Sequence, residues 1–220
     1  MKTKLIALIA AAAFAAPALA DPLPIQNGSF EGTTGGYTRL DGGSTAINGW
    51  TTTGEGVEWF DSSAFGPAFD GNNLIDLAWY TSNGNPGGGI QQTIATEAGT
   101  QYSIAFHATT HRASGRDGTG IINLLIDGVM LGSYLVNNQN ATFSSADWKR
   151  FDATFTATGP QSVIQFTNTQ NAYAHFAYLD GVSTQISAVP EPATWAMMIG
   201  GLGMVGGAMR STRRKRAVTA

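Results

Sequence analysis

From Gly56 onward the chain runs in short apolar or alternating stretches, separated by clusters of Gly, Asp, Asn, Ser and Thr. In QYSIAFHA, Tyr102, Ile104 and Phe106 fall on one face, and Ser103 and His107 on the other. That two-residue period is the mark of a half-buried strand. Phe151, Ala153 and Phe155 repeat it. The pattern predicts strands at GVEWFD, NLIDLAW, GGIQQTIAT, QYSIAFHAT, GIINLLID, VMLGSYLV, WKRFDATFTA, QSVIQFTNT and AHFAYLDGVSTQI. Asp-Gly pairs at Asp41, Asp70, Asp117, Asp127 and Asp180 punctuate the run. The pair at Asp127 sits between two apolar segments, a strong signal for a two-residue hairpin turn. Outside the termini no helical stripe of comparable length appears. So many strands in one unit predict an all-β fold, a single jelly-roll β-sandwich, with Trp50 and Trp59 in the core or at its rim.

The two ends break this pattern. Lys2 and Lys4 precede an apolar run from Leu5 to Ala16, followed by PALA and Asp21. A charged start, an apolar middle and an Ala-x-Ala site make a secretory signal peptide over residues 1–20, cut after Ala20. At the other end, Ala193 to Met209 carries no charge. As a helix these residues span about 26 Å at ~1.5 Å per residue, just short of a hydrocarbon core of ~30 Å. Arg210, Arg213, Arg214, Lys215 and Arg216 follow, which keeps that end cytoplasmic and the preceding chain outside. GLGMVG within this run matches a dinucleotide-binding glycine pattern, but no strand precedes it and no acidic residue follows. Gly203 and Gly207 also make a small-xxx-small pair that would let helices approach closely.

Export changes what the composition means. The whole chain has a formal charge of −3. Asp21 to Val189 holds five Lys and Arg against fourteen Asp and Glu, which leaves −9. An acidic domain repels phosphate backbones, so nucleic acid is excluded as a partner, whereas carboxylates can hold a hard cation. There is no cysteine, so the domain stands without disulfides in a compartment that permits them. Residues 21–189 are enough for one core. The organisation read from the chain is therefore a signal peptide at 1–20, one β-sandwich at 21–189 and a terminal signal at 190–216.

Within that terminal signal stand Pro190-Glu191-Pro192, then Trp195-Ala196, a Gly-rich span over 193–209 and a basic cluster over 210–216 that includes Arg213, Arg214, Lys215 and Arg216. In this order they resemble the PEP-CTERM sorting signal in its PEPxxWA form. The resemblance implies export, transient anchorage in the inner membrane of a Gram-negative bacterium that makes exopolysaccharide, cleavage by an exosortase-type membrane protease, and release or attachment at the cell surface. Across the middle, NGSFE at Asn27, GW at Gly49, DGNNLIDL at Asp70, GGIQQTI, GTQYSIAF, DWKRFDATFTAT and AYLDGV follow an order similar to galactose-binding-like jelly rolls: carbohydrate-binding modules of the CBM4/9 type and DUF642 cell-wall proteins. That resemblance implies a structural Ca²⁺ joining the N-terminal segment to the last strand, with Glu31 and Asp180 at the matching positions. The other reading of these two is a surface carboxylate and a turn former before Gly181.

For sugar recognition, aromatic rings and polar neighbours make Trp79, Tyr80, His107, Arg112 and Tyr173 the candidate ligand-binding residues; core packing is the alternative for each aromatic. No catalytic set emerges. There is no G-x-S-x-G elbow. His107 and His111 stand four apart, about 13 Å on a strand, too far for one zinc. Glu55, Glu58 and Asp61 form the densest carboxylate group, but a glycosidase needs two carboxylates across a cleft. The expectation is a non-enzymatic, exported protein of the cell surface or extracellular matrix that binds exopolysaccharide. A secreted glycoside hydrolase and a purely structural matrix or adhesion protein are the rivals. Ice binding ranks below them, since TTT at Thr51 is the only Thr run of its kind and too short.

Overall fold

The computed structural model describes residues 25–77, 87–112, 115–138, 140, 146–187 and 199–202. The leader, the loop over 78–86 with Trp79 and Tyr80, and all the named residues of the terminal signal lie outside the described residues. Residues 199–202 are helical. Among the described residues no helix is long and apolar enough to cross a membrane.

Among the described residues, eleven strands form two antiparallel sheets. In chain order they are β1 (Tyr37–Leu40), β2 (Thr51–Gly54), β3 (Val57–Asp61), β4 (Asn73–Asp76), β5 (Gly88–Ala95), β6 (Gln101–Thr109), β7 (Thr119–Ile126), β8 (Val129–Asn137), β9 (Lys149–Thr156), β10 (Gln161–Asn168) and β11 (Tyr178–Ile186). Sheet A runs β1-β3-β4-β11-β6-β9 and sheet B runs β2-β5-β10-β7-β8. The all-β sandwich read from the periodicity is the observed fold. A single helical turn, α1 (Ser62–Phe65), follows β3, capped by the Asp61 side chain.

The predicted alternation holds where one face is buried. Tyr102, Ile104 and Phe106 enter the core between the sheets, and His107 faces away from it. There they meet Ile90, Ile122, Ile164 and Phe166, as well as Trp50 and Trp59, both almost fully buried. Phe106 packs edge-on against Phe166 at 5.1 Å. Asp127 and Gly128 both take positive φ, 52° and 79°, the signature of a type I′ turn. The turn joins β7 to β8 as its sequence requires.

Two strands depart from the pattern. β1 (YTRL) and β2 (TTTG) are four residues each, too short for a readable period, and both are sheet edges. The second half of AHFAYLDGVSTQI forms β11, while its first residues belong to the connection from β10.

Without a disulfide, the N-terminal segment serves as a strap. Gln26 exchanges two hydrogen bonds with the Gln92 side chain of sheet B, at 2.7 and 2.8 Å. Val182 of sheet A donates its N–H to Gly28 O at 2.9 Å. The indole N–H groups of Trp50 and Trp59 donate to Asn27 O and Phe30 O, each at 2.8 Å. One short stretch is thus bonded to both sheets, and Phe30 beneath it is fully buried.

Candidate functional site

The outer face of sheet A is covered. Ladder partners on adjacent antiparallel strands point to the same side, so Arg39, Glu58, Asp76, Tyr178 and Thr109 form one row across β1, β3, β4, β11 and β6. Phe60, Leu74, Ala172, Phe176 and Tyr178 make a second, smaller core there, flanked by Ala68 and Trp148. Ala68 from the connection after β3, His111 from the one after β6, and Ala172 and Phe176 from the one after β10 pack there.

Glu58 and Asp76 sit directly opposite each other, and both are buried. Glu58 Oε1 accepts from the Tyr37 hydroxyl at 2.8 Å and from Arg39 Nε at 3.1 Å. Asp76 Oδ1 accepts the Ala177 N–H at 3.3 Å. Burial first, then the Glu58 hydrogen bond, pushes the Tyr37 phenol up to about 12. Tyr178 is raised well above its ordinary range by burial, with Asp76 and Glu58 adding to it. Asp76 was not singled out in the sequence; its signal is a lone carboxylate inside the apolar run NLIDLAW.

Two loops meet at the end of the sandwich where β6 and β10 finish. Asp117 donates its N–H to Ala174 O at 3.2 Å, and Arg116 Nε donates to Ala172 O at 3.3 Å. The Arg116 guanidinium lies 3.7 Å over the Phe176 ring. His175 Nδ1 stands 3.3 Å from Asp117 Oδ1. Of the predicted ligand-binding residues, Arg112 and Tyr173 are exposed on these two joined loops. His107 is not with them. It lies along β6, opposite Asp180 on one side and Arg150 on the other, stacked on Phe69 at 3.4 Å. His111 is buried against Phe176 and Tyr178, and burial pushes its imidazole down to about 4. Among the described residues no three His, Cys, Asp or Glu gather to hold a metal ion.

Glu31 and Asp180 converge on one turn. Glu31 Oε1 accepts the N–H groups of Asn72 and Asn73, at 2.8 and 2.9 Å. Asp180 Oδ2 accepts those of Phe69 and Asp70, at 2.7 and 3.0 Å, and its Oδ1 accepts from Gly181 at 2.6 Å. The N-terminal segment and the last strand are joined as the resemblance implies, but through backbone amides. A calcium cage takes six to eight oxygens. Glu31 Oε1 and both Asp180 oxygens accept N–H groups here, and a Ca²⁺ at this turn would draw on their remaining lone pairs and on further oxygens. Asp180 is fully buried, and burial raises its carboxyl to about 7 against the pull of its amide donors.

Sheet B presents the opposite surface. Its five strands contain no Asp, Glu, Lys, Arg or His. Thr51, Gln91, Gln165 and Leu125 line up across β2, β5, β10 and β7, as do Thr53, Gly89, Thr167 and Asn123. Gln165 Nε2 donates to Thr53 Oγ1 at 3.0 Å, and Ser133 Oγ donates to Asn123 Oδ1 at 2.8 Å. Toward β8 the face turns apolar, with Met130 and Leu135 exposed. Amides and hydroxyls thus stand beside a hydrocarbon strip, with no fixed charge on either. Single candidate residues do not reveal this face; the lack of charge is visible in the sequence of β5, β7, β8 and β10, but their gathering into one sheet is not.

Among solved structures the chain is similar to a cleaved adhesin domain of Lys-gingipain from Porphyromonas gingivalis, at 10% identity, covering 69% of this chain and 99% of that one, with a TM-score of 0.50. The CBM22-1 xylan-binding domain from Paenibacillus barcinonensis matches at 14% identity, 78% and 99% coverage and a TM-score of 0.45. A family 35 carbohydrate binding module from Clostridium thermocellum gives 10%, 76%, 100% and 0.41. No curated protein matches. The PEP-CTERM protein-sorting motif matches residues 188–215, marking an exported protein sorted by way of the membrane. The model described as "Protein of unknown function (DUF642)" matches residues 23–183, and the chain belongs to the DUF642 family.

Proposed function

We propose that this protein is exported, held briefly in the inner membrane by its C-terminal span, released by an exosortase-type protease, and then binds neutral polysaccharide outside the cell without catalysing a reaction. The observation that carries the binding step is the uncharged outer face of sheet B. Sugar hydroxyls pair with amides and hydroxyls such as Gln91, Gln165 and Thr53. The apolar faces of pyranose rings suit the adjoining Leu125, Met130 and Leu135 strip. A face without charge spares a neutral ligand the cost of stripping water from an unpaired ion. Preformed polar contacts on a rigid sheet also limit the ordering that binding would require. Trp79 and Tyr80, which precede β5 in the sequence, remain candidate stacking residues.

Burial of Glu58 and Asp76 supports the non-catalytic reading. A glycosidase pair must flank a cleft that admits the sugar and a water, whereas these carboxylates are buried and already hold Tyr37, Arg39 and the Ala177 amide. The test is a glycan array with the purified full-length chain and with the Gln91→Ala/Gln165→Ala double variant. Binding to one or more neutral glycans, weakened roughly tenfold or more in the double variant, is the expected result. Silence across neutral glycans, or binding that ignores both glutamines, would overturn the assignment.

A further inference from the structure

Phe69 presents a ring that the fold has fixed in place and left 47% exposed. One ring face lies on His107 at 3.4 Å and 11°. Trp148 stands edge-on to it at 6.4 Å and is itself tied down by its indole N–H donating to Pro67 O at 3.0 Å. The loop carrying Phe69 is fastened by the four amide bonds to Asp180 and Glu31 described above. Gly181, at φ +57°, leaves room for the stack: a Cβ there would come within 2.7 Å of the Phe69 ring and 3.0 Å of His107 Nδ1. At the rim, Arg150 holds Asp152 through both carboxylate oxygens, at 2.7 to 3.1 Å, and both side chains are more than half exposed.

The fold's own packing does not require this arrangement. An exposed loop phenylalanine gains little from burial. Yet a fully buried carboxylate, with the desolvation that entails, is committed to holding the amides of Phe69 and Asp70. Fixing an apolar ring in advance, with hydrogen-bonding groups beside it, lowers the ordering cost of a ligand that stacks. We infer that Phe69, backed by His107 and edged by Trp148, Arg150 and Asp152, is a second saccharide contact that stacks a neutral pyranose ring on the face of the domain opposite sheet B. Asp70 and Asp152 offer acceptors for sugar hydroxyls and disfavour uronates. The inference rests on the glycan-binding reading and extends it. The outer faces of the two sheets point in opposite directions, so one polymer chain laid on sheet B does not reach Phe69. A single domain with both contacts bridges two chains and cross-links the polymer.

The test uses the purified full-length chain with soluble xylan, mixed-linkage β-glucan and galactan. Affinity gel electrophoresis reads binding, and turbidity reads cross-linking. The wild-type chain is expected to be retarded by at least one polymer and to cloud its solution. Phe69→Ala should remain retarded but lose most of the clouding, and Phe69→Tyr should restore it. Arg150→Ala, a surface change, should move turbidity in the same direction as Phe69→Ala. A wild-type chain that is retarded yet never clouds the polymer, or a Phe69→Ala chain that clouds it fully, would overturn the second contact and leave the sheet B reading standing. A wild-type chain retarded by none of the polymers would remove both.

Discussion

At the level of single residues, the buried titratable groups make opposing demands. Asp180 has its carboxyl raised to about 7 by burial, above its ordinary value near 4. Between those values the folded chain keeps a proton that the unfolded chain has released, so stability falls as pH rises through the window. His111 is lowered to about 4 by burial, with Arg116 adding to it, from about 6.5. The unfolded chain takes that proton first as pH drops, so stability rises with pH over the same range. His107 is also lowered by burial and acts with His111. Each group contributes a slope of at most about 1.4 kcal/mol per pH unit, and the slopes oppose each other. Urea unfolding from pH 4.5 to 7.5 should therefore show a shallow profile for the native chain. Asp180→Asn should make stability climb with pH, and His111→Phe should make it decline. Parallel profiles for all three would contradict the assigned burial effects.

At the level of elements, the strap over residues 25–32 and the turn over 69–73 stand where a disulfide or a metal clip would serve in a domain of this size. Both are fastened by hydrogen bonds, which the strap combines with burial of Phe30 and the turn with the stack of Phe69 on His107. A hydrogen bond contributes roughly 0.5–1.5 kcal/mol net, and more where the acceptor is ionised, so the four N–H groups accepted by Glu31 and Asp180 stabilise the turn appreciably. The melting temperature is accordingly expected to stay the same in excess EDTA. A fall of several degrees that Ca²⁺ restores would return calcium to Glu31 and Asp180. What the sequence revealed follows from the same physics. β6, β9 and the β7–β8 hairpin were legible because burial of one face imposes alternation and because Asp127-Gly128 permits a type I′ turn. β1 and β2 were not, because four-residue edges carry too few positions to show a period. The joining role of Glu31 and Asp180 was legible only through resemblance, and its partners, the amides of residues 69, 70, 72 and 73, have no side-chain signature. Phe69 escaped notice because an isolated Phe in a Gly-rich loop looks like any other until the stack on His107 is seen. The row from Arg39 to Thr109 depends on strand order, which pattern alone does not give.

For the whole molecule, charge is divided between layers. The strands of sheet A carry Arg39, Glu58, Asp61, Asp76, His107, Lys149, Arg150, Asp152 and Asp180, while those of sheet B carry no residue of these types. An acidic body at −9 gains solubility from that charge and still offers one neutral face. Binding through such a face has a signature that an ionic site lacks, because screening by salt leaves amide and hydroxyl contacts almost untouched. The most direct measurement is calorimetric titration of the full-length chain with a neutral polysaccharide that it retains on the array, at low and at high salt. Saccharide heat with a Kd that holds within about twofold between roughly 0.05 and 0.5 M salt is the predicted result. A Kd that weakens tenfold or more across that range, or no heat at either salt, would contradict an uncharged sugar-binding face.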